Sequence, residues 1–360
     1  MGKIYLCYPM TAFSNQIEKD DIFVAGARAT GKVHIGNYFG AIKNFVDLSK
    51  QIDNPMYYFI ADWHSLTTHT NAVELAQNNY LTLATYLGCG ADPNRATLYF
   101  QSDISAIAEL YLYLNMFAYK GELERTATFK EKIQNQPENV NAGLLTYPVL
   151  MAADVLIHKG TKVPVGKDQS QHVEMIRTFG NRFNYTYQKD VFKEAFAFTY
   201  TDKLITIPSL NGKGKMSKSD DETNAIFLLD SDKDIEKKIK KAVSDAGPTE
   251  KNSPLTPEVQ NLFAFMDLFS SIEIKNQYLQ AYADCNIRYG DMKMQIAKDA
   301  ITFLAPIREN IQSYLSNPNL LKDIAISGAE KANNNAKKTM EEIREIMGLT
   351  SKNIHSSKFI

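Results

Sequence analysis

Residues 26–41, Gly-Ala-Arg-Ala-Thr-Gly-Lys-Val-His-Ile-Gly-Asn-Tyr-Phe-Gly-Ala, constrain the fold more than any other stretch. Ahead of them Asp21-Ile22-Phe23-Val24-Ala25 is a short apolar run with β-branched and aromatic residues, which predicts a buried strand. Behind them Ile42, Phe45, Val46, Ser49 and Ile52 recur at the i, i+3, i+4 spacing of one helical face. The stretch between is therefore a glycine-rich strand-to-helix turn, through which backbone can approach a ligand closely. The helix that follows offers unpaired N–H groups and a positive dipole end, a combination suited to a polyphosphate.

Two readings of that turn compete. Gly26 to Lys32 matches most of the phosphate-cradling pattern G-x-x-x-x-G-K-[ST], but Val33 stands where the metal-binding hydroxyl belongs, which argues against it. Instead, His34-Ile35-Gly36-Asn37 resembles the HIGH signature of class I aminoacyl-tRNA synthetases, with Asn for the second His. Alone it says little, since a histidine at a helix start usually caps the helix or faces solvent. The second signal is Gly214-Lys215-Met216-Ser217-Lys218-Ser219-Asp220, an intact KMSKS, the other class I signature. Lysines on a glycine-flanked loop can close over a triphosphate as point charges. By itself this loop reads as a solvated turn; the two motifs together, in this order, carry the reading.

Between them the chain repeats one plan. Met56–Ala61, Ala96–Phe100 and Lys162–Val165 are apolar strands, each running into polar residues: Asp62-Trp63-His64-Ser65, Gln101-Ser102-Asp103 and Gly166-Lys167-Asp168-Gln169. Val73, Ala76, Tyr80, Leu83, Ala84 and Leu87 make a helical face closed by Gly88 and Gly90. Alternation of this kind predicts an α/β fold with a mostly parallel sheet and helices on both faces. Ligands then sit outside the carboxyl ends of the strands, where the polar clusters fall. The 44% hydrophobic and 22% charged residues suit a soluble globular chain, and the net charge of −1 leaves any nucleic acid to local basic patches. Cys7, Cys89 and Cys285 are scattered, which predicts neither a zinc site nor a disulfide framework and fits a reducing cytoplasm. No stretch approaches the length of a membrane span. Residues 1–20 read as an N-terminal extension adding an edge strand, not as a signal peptide.

The run from Gly143 to Ile157 is apolar apart from Thr146, Tyr147 and Asp154. A carboxylate among Met151, Ala152, Ala153, Val155 and Leu156 must find a partner or shift its pKa. The plainer reading is a solvent-facing or capping helix residue. The sharper one is an acceptor for a mostly apolar ligand with a single donor, and indole is such a ligand.

From about residue 21 onward the chain resembles the bacterial tryptophanyl-tRNA synthetases. Beside the two signatures, the matching stretches are Asp62-Trp63-His64, Gly121-Glu-Leu-Glu-Arg125 with Phe129-Lys130-Glu131-Lys132, 142–157, Val163-Pro-Val-Gly-Lys-Asp-Gln169 and Gln171-His172-Val-Glu174. The resemblance implies a class I Rossmann-type domain over 21–222, a mostly α-helical anticodon-binding domain over 223–320, and a C-terminal helix over 321–360 returning to the first. It further implies that Asp154 reads the indole N–H, that Tyr147 and Gln169 hold the α-ammonium, and that Phe23, Met151, Val163 and Val165 wall the ring with His64 nearby. On the ATP side it implies His34 and Asn37 at the phosphates with Thr30 and Gly36, Gly166 and Asp168 by the ribose, and Met216 near adenine. Lys132, Lys215 and Lys218 would carry the charge of the leaving pyrophosphate, with Mg2+ held by substrate and water. Arg28-Ala29 replaces the Gln-Pro usual in the family, so an extra guanidinium could reach the phosphates.

The implied reaction activates L-tryptophan with ATP to tryptophanyl-adenylate and then transfers tryptophan to tRNA(Trp). The implied assembly is a homodimer without membrane contact. The helix over 105–119, apolar nearly all round, fits such an interface. Helical stretches follow over 234–243, 257–269, 271–283, 291–314 and 321–346, the first and last of them lysine-bearing. Two rivals stay open here: a tyrosine-specific relative, and a paralogue that makes adenylate without charging tRNA.

Overall fold

The computed structural model describes residues 13–29, 31–67, 70–135, 140–166, 169–199, 206–217 and 222–350, apart from the side chains of Thr128, Glu131, Lys132 and Asn135. Five strands form one sheet: β1 Phe23–Ala27, β2 Met56–Ile60, β3 Thr97–Phe100, β4 Lys162–Pro164 and β5 Phe196–Phe198. Their order is β3-β2-β1-β4-β5 and every pairing is parallel. Parallel neighbours need long crossovers, and helices supply them.

α1 (Ile35–Asn37) and α2 (Lys43–Gln51) follow β1, joined by one π turn at Tyr38–Ile42. α3 (Asp62–Ser65) and α4 (Ala72–Gly88) lead to β3. α5 (Ser105–Asn115), α6 (Lys120–Leu123), α7 (Ala127–Asn135) and α8 (Ala142–Leu156) lead to β4, and α9 (Ser170–Tyr187) leads to β5. The remainder is helical: α10 (Asp232–Lys240), α11 (Pro257–Phe269), α12 (Ile272–Ala283), α13 (Tyr289–Leu315) and α14 (Pro318–Ile346).

The first strand starts two residues later than its apolar run suggests. Asp21 is held below it, accepting from Thr161 Oγ1 at 2.7 Å and pairing with Lys162 Nζ at 3.6 Å. Side chains alternate between the two faces along the strands. Phe23, Tyr58, Ile60 and Leu98 enter one core with α2, α4, α11 and α13. Val24, Phe59 and Tyr99 enter the other with α5, α8, α9 and α14.

α14 belongs to both cores, because it crosses the free edge of β3. Leu321 and Ala325 lie in the first core, Ala329, Ala332, Ala336, Met340 and Ile343 in the second. Gly328 marks the crossing: a Cβ there would stand 1.7 Å from the Leu98 carbonyl oxygen. Only glycine lets the helix cover the edge this closely, and an edge strand left bare is a site for unwanted pairing. At the opposite edge Phe13 makes an isolated parallel bridge to Ala197, and Ser14 N–H donates to the Ala197 carbonyl at 3.0 Å. Residues 1–12 of the expected extension lie outside the described residues.

The strand order reverses between β1 and β4, so the crevice above their carboxyl ends is where an open sheet of this kind receives ligands. Among the described residues no helix is long and apolar enough to cross a membrane.

Candidate active site

Two cavities open above that reversal and share a wall made of Ala25, Gly26, Arg28 and Val165. The first, about 380 Å³, is lined by the end of β1, by Val33, Asn37, Gly40, Ala41 and Asn44 along one side of the α1–α2 helix, and by Pro164 and Gly166 after β4. The second, about 350 Å³, is lined by Val24, Phe59, His64, Tyr147, Met151, Val155, Val163, Gln169 and His172 among others. Gly26 keeps the shared wall thin: a Cβ would stand 2.5 Å from the Phe59 ring.

The helix start above the first cavity is built by reciprocal capping. His34 Nδ1 accepts from the Asn37 N–H at 3.3 Å, and Asn37 Oδ1 accepts from the His34 N–H at 3.4 Å. The imidazole is only 3% exposed, and it packs over Gly36, where a Cβ would meet it at 2.9 Å. The return segment of the second signature loop is stitched to the same place. Ile35 N–H donates to the Ile226 carbonyl and Leu228 N–H to the Val33 carbonyl, each at 2.9 Å. The loop itself closes tightly, with Met216 N–H on the Ile207 carbonyl at 2.9 Å and Gly212 and Gly214 at positive φ. This leaves Lys215 exposed and Met216 buried in the first core.

The second cavity is apolar with polar groups at two places. On one side Tyr147 Oη lies 2.6 Å from His172 Nε2, and His172 Nδ1 lies 2.8 Å from Gln169 Oε1. An amide oxygen only accepts, so Nδ1 carries the proton and Nε2 accepts from the tyrosine hydroxyl. That arrangement sets two oxygens, Tyr147 Oη and Gln169 Oε1, on the same imidazole. On the other side His64 Nε2 lies 2.9 Å from Asp154 Oδ2, while Gln101 Nε2 donates to Asp154 Oδ1 at 2.7 Å. Asp154 is wholly buried on the helix face that carries Tyr147, Met151 and Val155, one hydrogen bond behind the cavity wall. Burial pushes its carboxyl above the usual range, opposed by the bonds from His64 and Gln101. Burial also lowers the Arg28 guanidinium, which faces both cavities.

Of the residues expected at the site, Tyr147, Met151, Val163, Val165, Gln169 and His64 line the second cavity, and Arg28, Asn37 and Gly166 the first. Asp154 stands behind the wall of the second cavity without lining it, Gly36 and Lys215 line neither cavity, and three further placements differ. Phe23 does not wall the second cavity: it faces the opposite core, edge-on to Phe198 at 5.3 Å between ring centroids, and Val24 takes the expected place. His34 and Met216 line neither cavity, the first being engaged as a cap and the second packed behind the helix start. Thr30, Asp168, Lys218 and the side chain of Lys132 lie outside the described residues. His172, Val24 and Gln101 were not expected. A polar residue closing a strand was the available signal for Gln101.

The family model for class I tRNA synthetases (W and Y) matches residues 16–305. A tryptophan–tRNA ligase of Porphyromonas gingivalis is 50% identical over 90% of this chain and 98% of its own length. One from Fusobacterium nucleatum is 37% identical over 91% and 97%. Among solved structures, a tryptophanyl-tRNA synthetase of Campylobacter jejuni complexed with ADP and tryptophan superposes with a TM-score of 0.82 at 34% identity, covering 91% of this chain and 99% of that one. The chain belongs to the class I tRNA synthetases of the tryptophan and tyrosine group, and within it to the tryptophan–tRNA ligases.

Proposed function

We propose that the two adjoining cavities divide the substrates of the ligase reaction between them, ATP in the first and tryptophan in the second. The observation that carries this reading is the shared wall with Arg28 facing both sides. The reacting carboxylate and the α-phosphorus must meet at such a wall, and a guanidinium there offsets the negative charge that both bring. Tryptophan enters with its ammonium toward Tyr147 and Gln169 and its ring along Val24, Met151, Val163 and Val165. Its indole N–H turns toward the wall behind which Asp154 lies, with His64 on one carboxylate oxygen and Gln101 on the other.

The phosphates meet the α1 N-terminus and Asn37, while His34 acts by capping that helix start. Lys215, with Lys218 and Lys132, balances the charge that grows on pyrophosphate. The tryptophan carboxylate attacks the α-phosphorus in line, pyrophosphate leaves, and the terminal adenosine of tRNA(Trp) then takes the acyl group. No side chain becomes acylated, so catalysis is positioning and charge stabilisation. Mg2+ would come with the nucleotide, held mainly by substrate and water, and would offset phosphate charge. Among the described residues no group of three or more His, Cys, Asp or Glu side chains could hold it.

The cytoplasm is the proposed setting. The anticodon end of tRNA is assigned to the helical region over 223–320. Part of the basic surface there is already engaged: Lys238 pairs with Asp230 at 2.6 Å and Lys240 with Glu236 at 2.5 Å. Contacts from the remaining lysines should weaken steeply with salt. Charging of purified tRNA(Trp) tests this half of the reading, since an enzyme that makes adenylate but leaves tRNA uncharged would be the adenylate-only paralogue.

The assembly proposed is a homodimer through the outer surface of α5 and α9. Leu112 is 54% exposed, Met116 70%, Tyr119 63% and Tyr185 79%, large apolar side chains that a solvated monomer would leave in water. Met116→Glu should convert a sedimenting dimer to monomer. A native chain that is monomeric and active at micromolar concentration would contradict the assignment.

A further inference from the structure

The side of Asp154 that faces away from the cavity carries its own construction. Gln101, wholly buried, donates from Nε2 to Asp154 Oδ1 at 2.7 Å. Its other atom, Oε1, is buried without a hydrogen-bond partner among the described residues. A buried amide that leaves its oxygen unpaired is costly, and such exceptions call for a reason. The turn that presents Gln101 is itself pinned: Asp62 Oδ1 accepts from the Ser102 N–H at 3.0 Å, and the Ile104 N–H closes on the Gln101 carbonyl at 3.1 Å.

A second rung joins Tyr99 of β3 to His158, two residues past the end of α8. Tyr99 Oη lies 2.8 Å from His158 Nε2, and His158 Nδ1 lies 2.8 Å from Asn335 Oδ1 on α14. The Tyr57 ring stacks on the same imidazole at 4.0 Å between centroids. The two rungs tie the C-terminal end of α8 and the residues after it to β3 and the turn that follows. The second rung is neutral, because burial brings the His158 pKa down to about 4. The titratable groups around the Asp154 carboxylate are thus Asp62, His64, Tyr99 and His158.

We propose that Gln101 is a positioning residue for substrate selection: its amide fixes the plane of the Asp154 carboxylate, so that the acceptor behind the wall of the tryptophan cavity keeps one orientation. The inference rests on the assignment of Asp154 as the indole reader and deepens it. A carboxylate held by His64 alone could rotate about its Cβ–Cγ bond, and a rotating acceptor discriminates poorly. A lysine or arginine at position 101 would also hold it, but would pair off the negative charge that the indole N–H is to meet. A neutral donor does the first without the second, and this gives the unpaired Oε1 its reason.

The test compares tryptophan with its analogue bearing sulfur in place of the indole N–H, using the full-length chain and amino-acid-dependent ATP–pyrophosphate exchange. Gln101→Leu should raise the tryptophan KM on the order of tenfold with kcat little changed, the size expected for loosening one charge-assisted hydrogen bond. The KM of the sulfur analogue should stay where it is in the native enzyme. Gln101→Glu keeps the side-chain length and guards against a misfolded leucine variant. Two touching carboxylates cannot both ionise readily, so the proton they share mimics the native donor. Tryptophan KM in that variant should therefore rise as pH rises, the opposite of a native enzyme that weakens as Asp154 takes up a proton. An equal loss for both amino acids would mark Gln101 as merely structural and overturn the proposal, as would an unchanged tryptophan KM. Asp154→Ala is measured alongside. If it still discriminates between the two amino acids, the assignment of Asp154 has failed; if it does not, while Gln101→Leu discriminates as the native chain does, the failure is that of Gln101 alone.

Discussion

Replacing Lys215 by alanine is expected to slow adenylate formation by about two decades, or ~3 kcal/mol of transition-state stabilisation, with tryptophan affinity nearly unchanged. Negative charge on the departing pyrophosphate grows as the bond to the α-phosphorus breaks, so a cation near it acts mainly in the transition state. Lys215 is exposed at the end of the tight turn over 207–216, with Gly214 just before it at positive φ. That turn is continuous with the 226–228 segment stitched to the start of α1. The same result is expected for Lys218→Ala. Single-turnover measurements would settle the role: a loss confined to tryptophan KM, with the chemical step intact, would contradict it.

Asp154→Ala should abolish the preference for tryptophan over the sulfur analogue, and Asp154→Asn should weaken tryptophan binding by roughly 1.5–3 kcal/mol while keeping part of the preference. The asparagine holds the shape and can turn its oxygen to the indole, but it lacks the charge. An apolar wall alone separates aromatic rings poorly, whereas a buried acceptor rejects a ligand without the matching donor because the acceptor is then left desolvated and unpaired. The pH dependence follows in sign. Burial holds the Asp154 carboxyl above the ordinary carboxylate range, so tryptophan binding should be intact at higher pH and fade as pH falls through that raised value. A native enzyme that activates the sulfur analogue as well as tryptophan would remove Asp154 from substrate selection.

The parts of this fold legible in the sequence are those set by local chemistry. The turn after β1 announces itself through glycines between an apolar strand and a helical face. α11 is marked by Thr256 capping and Pro257 in its first turn, and α12 by Ser271 capping. What escaped was set by register or by distance along the chain. Phe23 and Val24 are both apolar, and nothing local says which faces the ligand. That is set by how β1 registers between β2 and β4, strands distant in sequence. β5, three residues long, is too short to show alternation. Gln101 meets Asp154 across 53 residues, and His172 meets Tyr147 across 25, so neither pair shares a local pattern. Asp154 itself stood out because a carboxylate in an apolar run must find partners, and His64 and Gln101 are those partners.

The division of two cavities between ATP and an indole-bearing amino acid is tested most directly by amino-acid-dependent ATP–pyrophosphate exchange on the native chain, run in parallel with tryptophan, tyrosine and phenylalanine. Robust exchange with tryptophan and little with the other two is the expected result. Phenylalanine has no donor for Asp154, and the tyrosine hydroxyl points along a different vector. Exchange driven as well by tyrosine as by tryptophan would contradict the account.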